Sequence, residues 1–307
     1  MSHSSRKIII AAFIGNFLIA VSKFTAAWFT ASSAMLSEGI HSLVDTGNQV
    51  LLLHGLKRAS KPPDERFPFG HGKEIYFWSF VVAILIFAVG AGISIYEGIH
   101  RLLHPSPIKN IIINYIVLGL GIAFEGVAWW MAVREFNARK GNSGFVSAIK
   151  DGKDPSLIVV LFEDSAAMLG LLVALGAMFM FQFTGWIYAD GLASVIIGLI
   201  LGLTAAWLAY ETKGLLIGER ANPKIIQNIK SLACQIKIIE SVQEVLTMHM
   251  GPDFILVNIN ADFKDDSSAA EVATAIARFD TLIKQKYPEI KRVFIEAQAR
   301  TTATPCA

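Results

Sequence analysis

The sequence predicts an all-α membrane domain of six helices followed by a small α+β domain, and three observations carry that expectation. The 307 residues are 53% hydrophobic and only 17% charged, with a positive mean hydropathy, which is too apolar for an ordinary soluble domain. Apolar stretches of about 20 residues, the length a helix needs to cross a hydrocarbon core about 30 Å thick, recur through the first two-thirds. From Glu211 onward the pattern becomes that of a soluble chain, with short alternating and amphipathic segments.

The apolar stretches run Ile8–Phe29, Ala34–Leu56, Ile75–Tyr96, Ile111–Val133, Leu157–Phe181 and Ile187–Ala209. An even number of spans puts both termini on one side. The loop after the second span holds Lys57, Arg58, Lys61, Arg66 and Lys73, and the loop after the fourth holds Arg134, Arg139, Lys140, Lys150 and Lys153. The opposite loops hold only Arg101 and Lys109. The positive-inside rule therefore predicts cytoplasmic termini. Arg6-Lys7 before an apolar run is compatible with a signal peptide, but the run is too long and no small-residue cleavage site follows, so it reads as the first span. The lack of a recognisable targeting peptide predicts a bacterial inner membrane.

The expected domains are residues 1–211 in the membrane and 212–307 in the cytoplasm. In the second, a helix is expected near Pro223–Ile236 and an apolar alternation through Glu244–Met250. A turn at Gly251-Pro252-Asp253 leads to a strand over Phe254–Phe263. Ser267 or Ser268 can cap a helix running to about Lys286, and Lys291–Ala297 reads as the last strand. Cys234 and Cys306 have no paired spacing and are expected to be inert thiols. The formal net charge of +2 gives no reason to expect nucleic acid as a partner.

Ionisable residues inside the spans carry the chemistry, because a charge at bilayer depth costs about 2.5 to 3.5 kcal/mol on insertion scales. In the second span His41 and Asp45 are one turn apart, with Glu38 three residues earlier near the same face. Polar residues also glue membrane helices, so a hydrogen-bonded packing cluster is the alternative. The fifth span carries Glu163-Asp164; neighbours on a helix diverge by about 100°, so one carboxylate faces any given site, with Asp164 the first choice. His41, Asp45 and Asp164 offer mixed nitrogen and oxygen donors, a set suited to zinc and tolerable to manganese, iron or cobalt, with water or Glu163 as a fourth ligand. Lys23 and Asp190 are expected to snorkel to an interface. Glu125 lies deeper, with pairing to Lys23, an access path and a proton relay all open to it. His54, His100 and His104 read as surface residues, as a lone loop histidine such as His71 usually is.

These residues resemble the cation diffusion facilitators, which export divalent metals in exchange for protons. The resemblance covers nearly the whole chain. It rests on Ser37 to Asp45, on Phe69-Gly70-His71-Gly72-Lys73-Glu74, on Leu161 to Ala167, on Asp190-Gly191-Leu192-Ala193-Ser194 and on His249-Met250-Gly251-Pro252-Asp253. Lys153-Asp154-Pro155-Ser156 and Glu163-Asp164 are most similar to the branch containing zinc transporter nine.

The resemblance implies a transport site on His41, Asp45 and Asp164, with the fourth position falling on Val160, which cannot coordinate metal. It implies a loop site at Asp64 and His71 that is weak or absent, since Phe67 stands where a ligand is needed. It also implies a ferredoxin-like cytoplasmic domain that forms a homodimer. There His249 matches, but Asn258, Glu296 and Gln298 stand where stronger ligands belong, so no dinuclear site is expected.

The mechanism implied is alternating access with metal and protons competing for the same ligands, which makes the chain a secondary transporter and not an enzyme. No Gly-rich phosphate loop suggests an ATP-driven pump. A membrane-anchored metal sensor or scaffold and a proton-coupled carrier of organic solutes are the rival readings.

Overall fold

The computed structural model describes the backbone of residues 3–140, 155–297 and 304–305, and the side chains of residues 16–138 and 158–297. Gln298, Cys306, Lys150, Lys153 and Asp154, used in the sequence reading, lie outside the described residues. The chain divides into one unit of Met1–Lys57 with Ile75–Lys213 and another of Arg58–Glu74 with Gly214–Ala307. The loop 58–74, which the sequence reading kept with the membrane helices, groups with the second unit.

The first unit is helical: α1 (His3–Thr30), α2 (Ser33–Ala59), α3 (Glu74–Leu103), α4 (Ile111–Lys140), α5 (Pro155–Thr184) and α6 (Ala189–Ile217). Among the described residues, α3 to α6 are long and apolar enough to cross a membrane. With 28 and 27 residues, α1 and α2 are each about 40 Å long, which is also sufficient length. Apolarity is what α2 lacks, because Glu38, His41, Asp45 and Asn48 share its buried face.

Large apolar side chains point outward around this unit, among them Trp28 (87% exposed), Phe183 (78%) and Leu203 (73%). Water would penalise such a surface and lipid does not. Inside, Val82, Ile86, Leu171, Met178, Ile197 and Leu201 form a packed core. α3 contains a π-helical stretch at Ile86–Ala91 and continues past the expected end at Tyr96. It lies close to α6: a Cβ on Gly198 would stand 2.9 Å from the backbone nitrogen of Ile95. Small residues let membrane helices approach this closely.

The second unit has a four-stranded sheet of order β3-β2-β1-β4, formed by β1 (Ile239–Gly251), β2 (Phe254–Phe263), β3 (Ile290–Ala297) and β4 (Thr304–Pro305). β1 and β2 form an antiparallel hairpin, and β2 and β3 run parallel and adjacent. Two helices accompany the sheet: α7 (Pro223–Ala233), capped by Asn222, and α8 (Ala269–Lys286). α8 starts with a capping box in which Ser268 and Glu271 satisfy each other's backbone N–H groups.

Alternation along β2 buries Ile255, Val257, Ile259 and Ala261 against Ile229, Phe279 and Ile283. The ferredoxin-like expectation is met only in part. Among the described residues α7 comes before any strand, and the crossover from β2 through α8 returns beside β2 without skipping a strand. Cys234 is not a free thiol, which corrects the expectation of an inert one. The residues Cys234-Gln235-Ile236 form a turn and not the last turn of α7.

Candidate functional site

α2 presents Glu38, His41, Asp45 and Asn48 on its buried face, positions separated by three, four and three residues, which is the helical repeat. His41 is 1% exposed and Glu38 and Asn48 are fully enclosed. Nδ1 of His41 and Oδ1 of Asp45 lie 3.2 Å apart without the alignment of a hydrogen bond, so both imidazole nitrogens are buried and unpartnered. A buried unsatisfied polar group costs about 1 to 3 kcal/mol.

α5 supplies Glu163. Its Oε1 accepts a hydrogen bond from Nδ2 of Asn48 at 2.6 Å, and its carboxyl lies within hydrogen-bonding reach of Asp45. Along α5 Val159, Glu163, Ala166 and Gly170 are among the buried positions, whereas Val160 is 36% exposed and Asp164 is half-buried. The sequence reading favoured Asp164; the structure turns Glu163 toward Asp45 and Asn48. Asp164 stays within electrostatic range of His41, Glu163 and Glu125. Among the described residues no three His, Cys, Asp or Glu side chains stand ready-spaced around an ion. The donors share a region, with Glu163 held toward Asn48.

Lys23 of α1 is fully buried, which corrects the expectation that it snorkels. Its Nζ donates to Oε2 of Glu38 at 3.1 Å and to Oγ of Ser42 at 2.7 Å, and Oε1 of Glu125 on α4 is 3.8 Å away. An ammonium at this depth is tolerable only with such partners, and the carboxylates give it a better environment than an apolar path to an interface.

Asp190 is the second correction. It is 1% exposed, and its carboxylate accepts from the backbone N–H of Ser33 at 2.6 Å, from Ser33 Oγ at 2.9 Å and from the Ala34 N–H at 3.3 Å. Ser32 Oγ donates to it as well, and Nε of Arg101 is 3.5 Å away. Asp190 therefore caps α2 from the start of α6, satisfying helix N–H groups that would otherwise be orphaned.

In the second unit His71 is buried, unlike the usual lone loop histidine, and its Nε2 sits 2.9 Å from Oδ2 of Asp64. Oδ1 of Asp64 accepts from the N–H groups of Arg66 and Phe67. His71 and these N–H groups hold the Asp64 carboxyl below its ordinary range. His54, His100 and His104 are exposed.

The register places His249 opposite Ile255, on the core side of the sheet. Glu296 pairs with Asn260, and Asn258 alternates with buried Val257 and Ile259, so both belong to the other face. These three residues are not brought together. The sequence reading missed Asn48, although its spacing from Asp45 continues the stripe. It also missed Gly170, where a Cβ would run into Oε1 of Glu38.

Residues 9–217 match the model of the cation efflux transmembrane domain. The proton-coupled zinc antiporter SLC30A9, mitochondrial, of Homo sapiens is 34% identical over 259 residues, covering 84% of this chain and 46% of that protein. The chain thus spans about half the length of this relative. The manganese efflux system protein MneP of Bacillus subtilis is 23% identical over 294 residues, covering 95% of each. Among solved structures, the copper form of the MamM CTD matches 26% of this chain and 76% of that chain, at 13% identity and a TM-score of 0.24. With the family model matching α1 through α6, the chain belongs to the cation efflux family.

Proposed function

We propose that this chain is a secondary transporter that moves a divalent metal, zinc in the first place, out of the cytoplasm in exchange for protons. The observation that carries this reading is the buried imidazole of His41, with both ring nitrogens unpartnered and the carboxyls of Asp45 and Glu163 beside it. A dehydrated cation satisfies all of these groups at once. The donors are nitrogen and oxygen without sulfur, which suits zinc and admits manganese, iron or cobalt. SLC30A9 is named as a zinc antiporter and MneP as a manganese efflux protein, so both metals belong in the test.

In this reading the ion enters between α2 and α5, and small rotations of His41, Asp45 and Glu163 close around it. Oδ1 of Asn48, buried without a hydrogen-bond partner, is a further oxygen donor. Metal requires a neutral imidazole and ionised carboxyls, so protons arriving from the far side release it by occupying the same atoms. Six spans follow once α1 and α2 are counted with the four apolar helices, α2 sheltering its polar stripe among its neighbours. The basic residues around Lys57–Lys73 and Arg134–Lys153 support a reading with cytoplasmic termini. The second unit serves as the dimerisation domain.

The test is uptake of zinc, manganese, cobalt and iron into proteoliposomes under an imposed pH gradient, with Asp45→Ala as the control. Gradient-dependent flux that disappears in the variant is expected. A folded protein without metal flux overturns the reading and leaves a membrane-anchored sensor.

A further inference from the structure

Lys23 lies on α1 inside the first unit, and the exchange just described makes no use of it. Its ammonium faces three oxygens from two other helices, Glu38 and Ser42 on α2 and Glu125 on α4. The side chains of Lys23 and Glu38 are 1% and 0% exposed.

The neighbouring helices are shaped around this group. Gly121 precedes Glu125 by one turn on α4, and a Cβ there would stand 3.6 Å from Cε of Lys23 and 3.2 Å from Leu171. Gly170 on α5 leaves the space that the Glu38 carboxylate fills. Oε1 of Glu38 has no hydrogen-bond partner although it is buried, so the pocket retains an acceptor that the ammonium does not use.

Two carboxylates and a hydroxyl oxygen enclosed away from water form a donor set for a hard cation. Here the cation is attached to the chain. An ammonium supplies one positive charge that cannot leave, where a divalent ion would supply two and could be carried away. The ammonium occupies the space among these oxygens, so a divalent ion could enter only by displacing it.

We propose that Lys23 is a tethered cation filling a second, oxygen-lined cation site made by Glu38, Ser42 and Glu125, which limits the membrane unit to the single divalent ion at His41, Asp45 and Glu163. This rests on the divalent-metal reading above. The experiment counts zinc bound per chain when the full-length protein, held in lipid nanodiscs, is dialysed against zinc chloride.

Lys23→Met is expected to bind one more zinc ion per chain than the unaltered protein, and Lys23→Arg no more than it. Lys23→Gln, which keeps an apolar stem and ends in a neutral hydrogen-bonding group, should show the same gain and serves if Lys23→Met does not fold. A folded neutral variant with no gain overturns the proposal while leaving the transport reading intact. Failure of both neutral variants to fold overturns it too, because the ammonium would then be a structural tie. Absence of zinc binding by the unaltered protein overturns the metal reading, and this inference with it.

Discussion

Asn48 on α2 donates from Nδ2 to Oε1 of Glu163 on α5 at 2.6 Å, so a neutral amide holds the acidic group that faces His41 and Asp45. The two helices are joined at the level of the candidate site, and the hydrogen bond turns Glu163, of the two adjacent carboxylates, toward Asn48.

Glu163→Gln should therefore lower zinc affinity by roughly 100-fold or more, the equivalent of about 3 kcal/mol for removing one partner from a buried charged cluster. Asp164→Asn should lower it by less than about tenfold, since that group contributes only through space. Calorimetric zinc titration of both variants checks the ranking. The reverse order would return Asp164 to the site.

Asn48→Leu removes the donor to Glu163 and leaves that carboxylate buried with one contact fewer. A loss of about 1 to 3 kcal/mol in stability is expected. Asn48→Asp should cost more without metal and recover when zinc is added, since a further carboxylate needs a cation. Thermal melting with and without zinc reads both effects.

Asp190→Ala uncaps α2 and leaves Arg101, whose side chain is 12% exposed, facing a hole. The apparent melting temperature should fall by roughly 10 °C, from about 3 to 5 kcal/mol of lost pairing. Adding Arg101→Met should recover part of the loss, because the stranded charge is then gone. No recovery would mean that the helix cap alone accounts for the effect.

The loop containing Asp64 should loosen in acid. Its carboxyl is held below the usual value by His71 and by the N–H groups of Phe67 and Arg66. A group whose folded pKa is depressed contributes its stabilisation above the unfolded value near 3.8 and loses it as pH falls through the lower folded value. Amide exchange at Arg66 and Phe67 should be unchanged between about pH 7 and pH 5 after correction for intrinsic rates, and should lose protection below about pH 4. Asp64→Asn should remove that acid-side step.

Much of this molecule was legible in its residues. Apolar runs of span length placed α3 to α6 within a few residues of their observed starts, because the bilayer fixes the length of a crossing helix. The strand alternation from Ile255 to Ala261 and the Ser268 cap were equally plain, since both depend on neighbours in the chain. The His41 and Asp45 pair was visible because a helix repeats every 3.6 residues.

Only the tertiary structure could decide what those groups meet. Lys23 and Asp190 read as interfacial while their partners were unknown. Glu38 lies 15 residues from Lys23 in the chain, and Ser33 lies 157 residues from Asp190. Which of Glu163 and Asp164 turns toward α2 depends on the rotation of α5 about its axis, which follows from packing against neighbours such as α4 and is accompanied by one hydrogen bond from Asn48 to Glu163. Sequence fixed the faces of each helix on local grounds; which face turns inward, and which charge finds its counter-charge there, follows from long-range packing in a medium where an unpaired ion is costly.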